Sequence, residues 1–220
     1  MPKFVARILP LTTLAIALAA CGGAQMTLES PVDAAAPVPV DLSKKVITLG
    51  DMTLTRTKGG MVKKVSGSAG PWGGERISQE FDFETSDGWK GSCAFSNGAQ
   101  SIAGFEIAAS GGFNCTLRQG EATWTLAMEA TNVGSKRLEG TLSGGEETID
   151  VKLSREVDKG ISRFVGYGYR YDGAAVAALQ TAKQRQLWMV EGTDPALASV
   201  IRASVGAFVF SRGAVNAAVQ

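Results

Sequence analysis

From Val46 onward, apolar and polar residues alternate with a period of two between short turn signals. Such alternation is typical of half-buried β-strands. Turn dipeptides, among them Gly59-Gly60, Asn97-Gly98 and Gly111-Gly112, separate many of the candidate strands. Asp172-Gly173, between Tyr171 and Ala174, favours a tight hairpin. The candidate strands are 46–49, 52–57, 61–66, 75–84, 88–95, 102–109, 112–118, 122–130, 136–142, 147–154, 163–171, 174–181 and 186–190. The pattern predicts a mainly β (α+β) fold, an antiparallel β-sandwich or barrel.

The segment 193–210 breaks this period. Thr193 or Asp194 can cap a helix, and Pro195 suits its first position. Apolar residues then fall on every side, which predicts a buried helix over about 194–210. At about 15 residues, or roughly 23 Å, it is shorter than a membrane span. A final strand over 207–210 is the alternative. The β domain with this helix is predicted to cover 46–212, followed by a tail over 213–220.

One predicted strand carries acidic side chains on a single face. Glu80, Asp82 and Glu84 alternate there with apolar residues. Three aligned carboxylates could hold a hard cation such as Ca²⁺. A solvated face opposite basic residues of a neighbouring strand explains the same pattern. No calcium-loop spacing accompanies the carboxylates, so we predict the solvated face and no metal site.

The first 21 residues have the layout of an export signal. Lys3 and Arg7 precede an apolar run that ends in Leu18-Ala19-Ala20-Cys21. This ending closely resembles the lipobox of bacterial lipoproteins. The resemblance implies a signal peptide over 1–20, cleavage after Ala20 and a diacylglycerol on Cys21. Two or three acyl chains anchor a protein durably in a membrane. An ordinary secretory signal with an incidental cysteine is the alternative.

Residues 21–45 follow as a Pro- and Ala-rich stretch without a sustained period. They predict a lipidated Cys21 followed by a flexible linker that holds the domain away from the membrane. Part of the stretch, Val38, Val40 and Leu42, alternates and can instead join the first strand. The residue after Cys21 is Gly22 rather than Asp, which favours the outer membrane if the host is Gram-negative.

Two further cysteines, Cys93 and Cys115, lie on the apolar faces of their predicted strands. An exported compartment is oxidising, and two cysteines there usually pair. We therefore predict a structural Cys93–Cys115 disulfide. A redox pair or a thiolate metal site is the alternative, but the spacing is not C-x-x-C and no other soft ligand is evident.

Several aromatic residues are candidates for ligand contact. Trp72 and Trp89 lie in Gly-rich loops, where they can stack on a ligand or fix the loop to its own domain. Tyr167, Tyr169 and Tyr171 alternate along one strand. They form either a recognition face or a set of cross-strand packing contacts.

Composition excludes several classes of function. The chain contains no histidine and has a formal net charge of +1 at pH 7, and removal of residues 1–20 takes away two bases and no acid. Near-balanced charge gives the chain as a whole no general attraction to nucleic acid or to an anionic membrane. Because the chain has no histidine, catalytic triads that use an imidazole and metal sites with histidine ligands are excluded. No nucleophile elbow, S-x-x-K, P-loop or dinucleotide fingerprint is present. We predict no catalytic residue and no cofactor.

Many strands followed by an apolar C-terminal helix, which Asp194-Pro195 opens, resemble the layout of tubby C-terminal and LURP-one-like domains. That resemblance covers residues 46–212 and rests on no specific motif. It implies a barrel closed around a hydrophobic helix and a lipid- or membrane-associated scaffold, without binding residues to carry over.

The sequence thus predicts a lipid-anchored protein of the bacterial cell envelope with a non-catalytic binding or structural β domain. Its expected partners are the membrane, through Cys21, and an envelope protein or a cell-wall component. The domain would face the periplasm or the cell surface. A lipid-binding barrel is the first alternative, and a histidine-free glycan hydrolase with paired carboxylates is the second.

Overall fold

The computed structural model describes residues 25–102, 105–131, 137–157, 160–182 and 184–219. The described part contains twelve strands and one α-helix, preceded by a short 3₁₀ turn at Val32–Ala34. The strands are β1 Val38–Ser43, β2 Val46–Leu49, β3 Met52–Ala69, β4 Trp72–Thr85, β5 Lys90–Ile102, β6 Phe105–Gln119, β7 Ala122–Thr131, β8 Arg137–Gly144, β9 Glu147–Val157, β10 Gly160–Tyr171, β11 Ala174–Gln180 and β12 Gln186–Met189. The helix is α1, Pro195–Val219. None of the helices in these ranges is both long and apolar enough to cross a bilayer.

The strands form a closed antiparallel barrel in which each strand pairs with the next along the chain. β12 returns to β1, where Val38 pairs with Leu187, and this pairing closes the barrel. The prediction of a mainly β fold with one C-terminal helix is confirmed, with the barrel rather than the sandwich. Closure joins the first and last strands and so removes the open edges that a sandwich leaves.

The meander gives the barrel two distinct ends. The connections that follow β1, β3, β5, β7, β9 and β11 lie at one end, which we call the hairpin end. The connections that follow β2, β4, β6, β8, β10 and β12 lie at the other, where α1 begins, and we call it the helix-start end. Contacts agree with this assignment: Arg202, in the second turn of α1, pairs with Asp51 between β2 and β3.

α1 occupies the interior of the barrel. Asp194 caps it, because its Oδ1 accepts hydrogen bonds from the N–H groups of Ala196 at 2.8 Å and Leu197 at 3.2 Å. The packing is close, and a Cβ added to Gly206 would lie 2.7 Å from the ring of Phe83. The buried apolar residues of the helix are Leu197, Val200, Ile201, Ala203, Val205, Ala207, Phe208, Val209 and Phe210. This burial on all sides is what the non-amphipathic sequence predicted.

The C-terminal boundary of the helix differs from the expectation. Residues 207–210 are helical rather than a last strand, and the helix continues to Val219 through most of the expected tail, 213–220. Residues 207–210 are buried as part of the helix and pack in the core against the strands of the barrel.

β3, β5 and β6 are longer than the sequence predicted. Gly59-Gly60, expected to be a turn, is a bulge inside β3, where the register shifts between Gly59 and Val62. Gly59 has a φ of +68°, and a Cβ there would lie 2.2 Å from the carbonyl oxygen of Glu80. Its freedom from a side chain therefore permits a continuous strand. The expected turns at 97–98 and 111–112 also lie within strands.

The folded domain begins before residue 46, unlike the flexible linker expected over 21–45. Met26 forms a bridge with Val157, and its N–H donates to Gln180 Oε1 at 2.8 Å. Val32 is buried in a small cluster with Trp188 on the outer side of the barrel. This contact covers the Trp188 indole on the outside of the barrel and so removes apolar surface from water. The segment is therefore packed against the barrel wall.

Candidate functional site

The outer surface at the hairpin end projects beyond the barrel wall. β3 pairs with β2 only as far as Thr55, opposite Val46, and then runs on to Ala69 with β4 as its strand partner. These residues 56–69 have a path length of about 45 Å along the strand. β4, β5 and β6 extend alongside it, so a four-stranded sheet stands out from this end.

Four large apolar side chains are exposed on this projection. Met61 is 76% exposed, Val65 68%, Trp72 56% and Val62 37%. The register places Val65 opposite Arg76 and Ala69 opposite Trp72, on the face turned away from the barrel axis, whereas Val62 is opposite the buried Gln79. Met61 lies in the bulge between Gly59 and Val62 and lines a groove together with Lys63, on the same face as Val65. We call Met61, Val65 and Trp72 the apolar stripe. Lone exposed apolar residues are ordinary, but three on one face of a projecting hairpin make that face a candidate contact surface.

A groove on the outer face of β3–β6 continues from the stripe. Its volume is about 570 Å³, and Met61 and Lys63 form part of its wall. The remainder of the lining is mixed: it includes the polar side chains of Lys58, Glu80 and Asn114 and the apolar residues Phe81 and Ala94. The groove can offer hydrogen bonds to a polar ligand, and it is open to solvent rather than enclosed within the barrel.

The acidic face predicted on β4 lies on the outside of the barrel beside basic residues. Lys58 is the register partner of Asp82, and Lys90 Nζ lies 3.9 Å from Glu84. Ser92 Oγ donates to Asp82 at 2.9 Å. Within the described ranges, no group of three or more acidic, cysteine or histidine side chains is arranged to hold a metal ion.

The groove contains two carboxylates, Glu80 and Asp82, from the same face of the same strand. Glycoside hydrolysis needs two carboxyl groups that flank the bond to be cleaved. Side-by-side carboxylates on one wall do not provide that arrangement.

The two predicted tryptophans have different environments. Trp89 is buried, and its Nε1 donates to Ser199 Oγ on α1 at 2.9 Å. The Trp89 indole holds the β4–β5 connection against α1 and, because it is buried, is not accessible to a ligand. Its role is therefore to fix this connection in place. Trp72 is exposed at the start of β4 and remains a candidate for contact.

The tyrosines of β10 serve mainly the core. The Tyr167 ring stacks on Phe208 with 3.8 Å between centroids, and the hydroxyls of Tyr169 and Ser204 are 2.9 Å apart. Desolvation raises the pKa of both buried tyrosines. At the rim, a hydrogen bond to Glu147 raises the pKa of Tyr171 to about 12. These side chains pack the barrel and do not form a recognition face.

Cys93 and Cys115 are bonded in the structure. They face each other as register partners on β5 and β6, and both are buried. The predicted pairing is therefore present as part of the core of the barrel. It crosslinks two of the strands that extend into the projecting sheet.

Charge is distributed unequally between the two ends. At the helix-start end, in or within two residues of the connections, the acids are Asp51, Glu84, Asp87, Glu121, Glu146, Glu147, Asp172, Glu191 and Asp194, the bases are Lys90, Arg118 and Arg170, and Arg202 lies nearby on α1. By the same rule the described side chains at the hairpin end are the bases Lys44, Lys45 and Arg185 and the acid Glu156, with Arg212 nearby on α1. The projecting β3–β4 hairpin adds the bases Lys63, Lys64 and Arg76 and the acid Glu75 within seven residues of its turn. A nearly neutral chain thus folds into a barrel with a basic end and an acidic end.

Some of the bases at the hairpin end are partly desolvated. Burial, with a smaller contribution from Arg185, lowers the pKa of the Arg212 guanidinium. Arg56 lies over the Phe210 ring, with its Cζ 5.5 Å from the ring centroid. The positive charge of this end is therefore set partly into the rim of the barrel.

The predicted signal peptide, 1–20, and the lipidation site, Cys21, lie outside the described residues. Comparison of the chain with family models, with curated proteins and with solved structures finds no match.

Proposed function

We propose that this chain is a lipid-anchored protein of the bacterial cell envelope, and that its barrel is a non-catalytic module which binds through its outer surface. The observation that carries the proposal is the sequence Leu18-Ala19-Ala20-Cys21 after a basic and apolar start. The membrane would be reached through acyl chains on Cys21, with an envelope protein or a cell-wall component as the further partner.

The filled interior supports a role for the outer surface. α1 is buried against the inner faces of the strands, so a ligand has to bind outside the barrel or displace the helix. The groove beside Met61 and Lys63 is a surface feature of the size of a ligand site. It supports binding rather than chemistry, because its two carboxylates stand on one wall.

A lipid-binding barrel is the second candidate. The closed barrel is the observation in its favour, but a lipid would need space that α1 now fills. Acyl chains that co-purify with the protein by noncovalent association would favour this candidate. The resemblance to tubby C-terminal and LURP-one-like domains remains a prediction.

The anchor is tested by intact-mass analysis of the natively expressed, membrane-extracted protein. We expect the mass of residues 21–220 plus acyl chains, and membrane association that resists alkaline carbonate. A Cys21→Ser variant should lose the acyl mass. An unacylated wild-type mass would contradict the proposal.

A further inference from the structure

We propose that the hairpin end of the barrel docks on the surface of a bilayer that contains anionic phospholipid, with Met61, Val65 and Trp72 at the membrane–water interface. The proposed lipid anchor places the bilayer nearby, and in this respect the inference rests on the proposed function. It adds a second membrane contact and a fixed orientation.

The attachment point of the N-terminal segment is the first support. Met26 pairs with Val157, the last residue of β9, at the hairpin end. Cys21 precedes Met26 by five residues, which span at most about 17 Å when fully extended. An acylated Cys21 would therefore hold the hairpin end close to the bilayer, while the helix-start end points away from it.

The apolar stripe is the second support. Its members are exposed on a hairpin that stands out from the same end. Trp72 is at the start of β4, directly after the turn, where the projection reaches farthest. Tryptophan favours the membrane–water interface because an apolar ring with a polar N–H suits that region. Insertion would remove three apolar side chains from water.

The charges of the projecting hairpin fit an anionic surface. Lys63 and Arg76 share the outer face with the stripe, according to the register of β3 and β4. In the part of the hairpin beyond Ser78 the acid is Glu75, which lies on the other face and pairs with Lys64 at 2.8 Å. Glu80 and Asp82 share the outer face nearer the barrel wall, where Lys58 is the register partner of Asp82. An anionic bilayer attracts the basic end and repels the acidic helix-start end, and both effects give the same orientation.

A second copy of the chain fits this face less well. Two hairpins brought together by the part of their outer faces beyond Ser78 would oppose Lys63 and Arg76 with the same bases of the other copy. Like charges face to face are unfavourable, whereas phosphate groups complement them. The observations therefore favour a lipid surface as the occupant.

Tryptophan fluorescence offers a direct test, because of the four tryptophans only Trp72 is exposed; Trp89, Trp124 and Trp188 are buried. The purified full chain is reconstituted into vesicles of phosphatidylcholine alone or with phosphatidylglycerol, and aqueous acrylamide is added. We expect acrylamide to quench the fluorescence of Trp72 in detergent and in phosphatidylcholine vesicles. In vesicles with phosphatidylglycerol, acrylamide should no longer reach Trp72. Lipids brominated in their acyl chains should then quench the same residue. Trp72→Phe should abolish both signals.

Matched variants test the charge argument. Lys63→Gln should lower the ratio of docked to undocked protein about fivefold, the effect of removing one basic residue near an anionic surface. Lys90→Gln removes another exposed lysine, on β5 at the helix-start end, and should leave the ratio unchanged. Circular dichroism should show the same fold for both variants, because both substitutions are on the surface.

Equal acrylamide access to Trp72 in detergent and in phosphatidylglycerol vesicles would overturn the docking proposal. So would equal effects of Lys63→Gln and Lys90→Gln. Shielding in detergent that increases with protein concentration would identify a second copy as the occupant instead. The intact mass of the same sample distinguishes failure of the docking proposal from failure of the lipid-anchor proposal. An acylated chain whose Trp72 is still accessible to acrylamide in phosphatidylglycerol vesicles refutes docking alone. An unacylated chain that shields Trp72 on added vesicles refutes the anchor alone.

Discussion

Replacement of Phe208 by alanine is expected to lower the free energy of unfolding by about 3–5 kcal/mol. Phe208 lies on α1 in the middle of the barrel and is 1% exposed. Its ring stacks on Tyr167 and contacts Phe113, with centroids 3.8 and 5.9 Å away. Removal of the ring leaves a cavity that closed strands cannot easily collapse to fill. Urea unfolding of both proteins, with the disulfide intact, measures the loss.

The matched control is Phe208→Leu, which keeps most of the apolar volume and should cost less than about 1.5 kcal/mol. The unfolding slope m should be similar in all three proteins if the effect acts on the native state. A loss below 1 kcal/mol for the alanine variant would contradict the placement of α1 inside the barrel.

Loss of the Cys93–Cys115 crosslink is expected to cost about 3 kcal/mol, the second of the two largest effects. The bond closes a loop over a sequence separation of 22 residues, so its removal enlarges the conformational freedom of the unfolded chain. The double variant Cys93→Ala/Cys115→Ala should show this loss in urea unfolding. The barrel should still form, since the pairing of β5 with β6 extends far on both sides of the bond.

Reduced wild-type protein is the control for lost packing, because it keeps both sulfur atoms in the core while lacking the bond. It should lose nearly as much stability as the double variant. If reduced and oxidised wild type unfold at the same urea concentration, the stabilising role of the crosslink is wrong.

Local patterns predicted most of the strands because the wall of the barrel has one solvent-exposed face and one buried face. β9 is an example: Ile149 and Val151 are buried, while Thr148 before them and Asp150 between them are exposed. This alternation is visible in any short window. The cysteine pair was also predictable, since both residues lie on apolar faces in a chain that is predicted to be exported.

The strand boundaries predicted from the sequence were wrong where glycines occur inside strands. A Gly-Gly pair usually marks a turn, yet Gly59-Gly60 allows β3 to bulge and continue. The projecting sheet was missed for this reason, and with it the position of Trp72 in a strand rather than a loop. The buried setting of Trp89 depended on Ser199, which is distant in sequence.

The amino-acid order alone predicted the export-signal layout that ends at Cys21, the β class and the burial of the helix after Asp194. Each of these predictions depends on neighbours within a few residues. Barrel closure, the packing of Met26 and Val32 on the wall and the contrast between basic and acidic ends emerged only from the fold. They join residues far apart along the chain, such as Met26 and Val157, or Val38 and Leu187. Their proximity follows from strand register and chain direction, which no local period encodes.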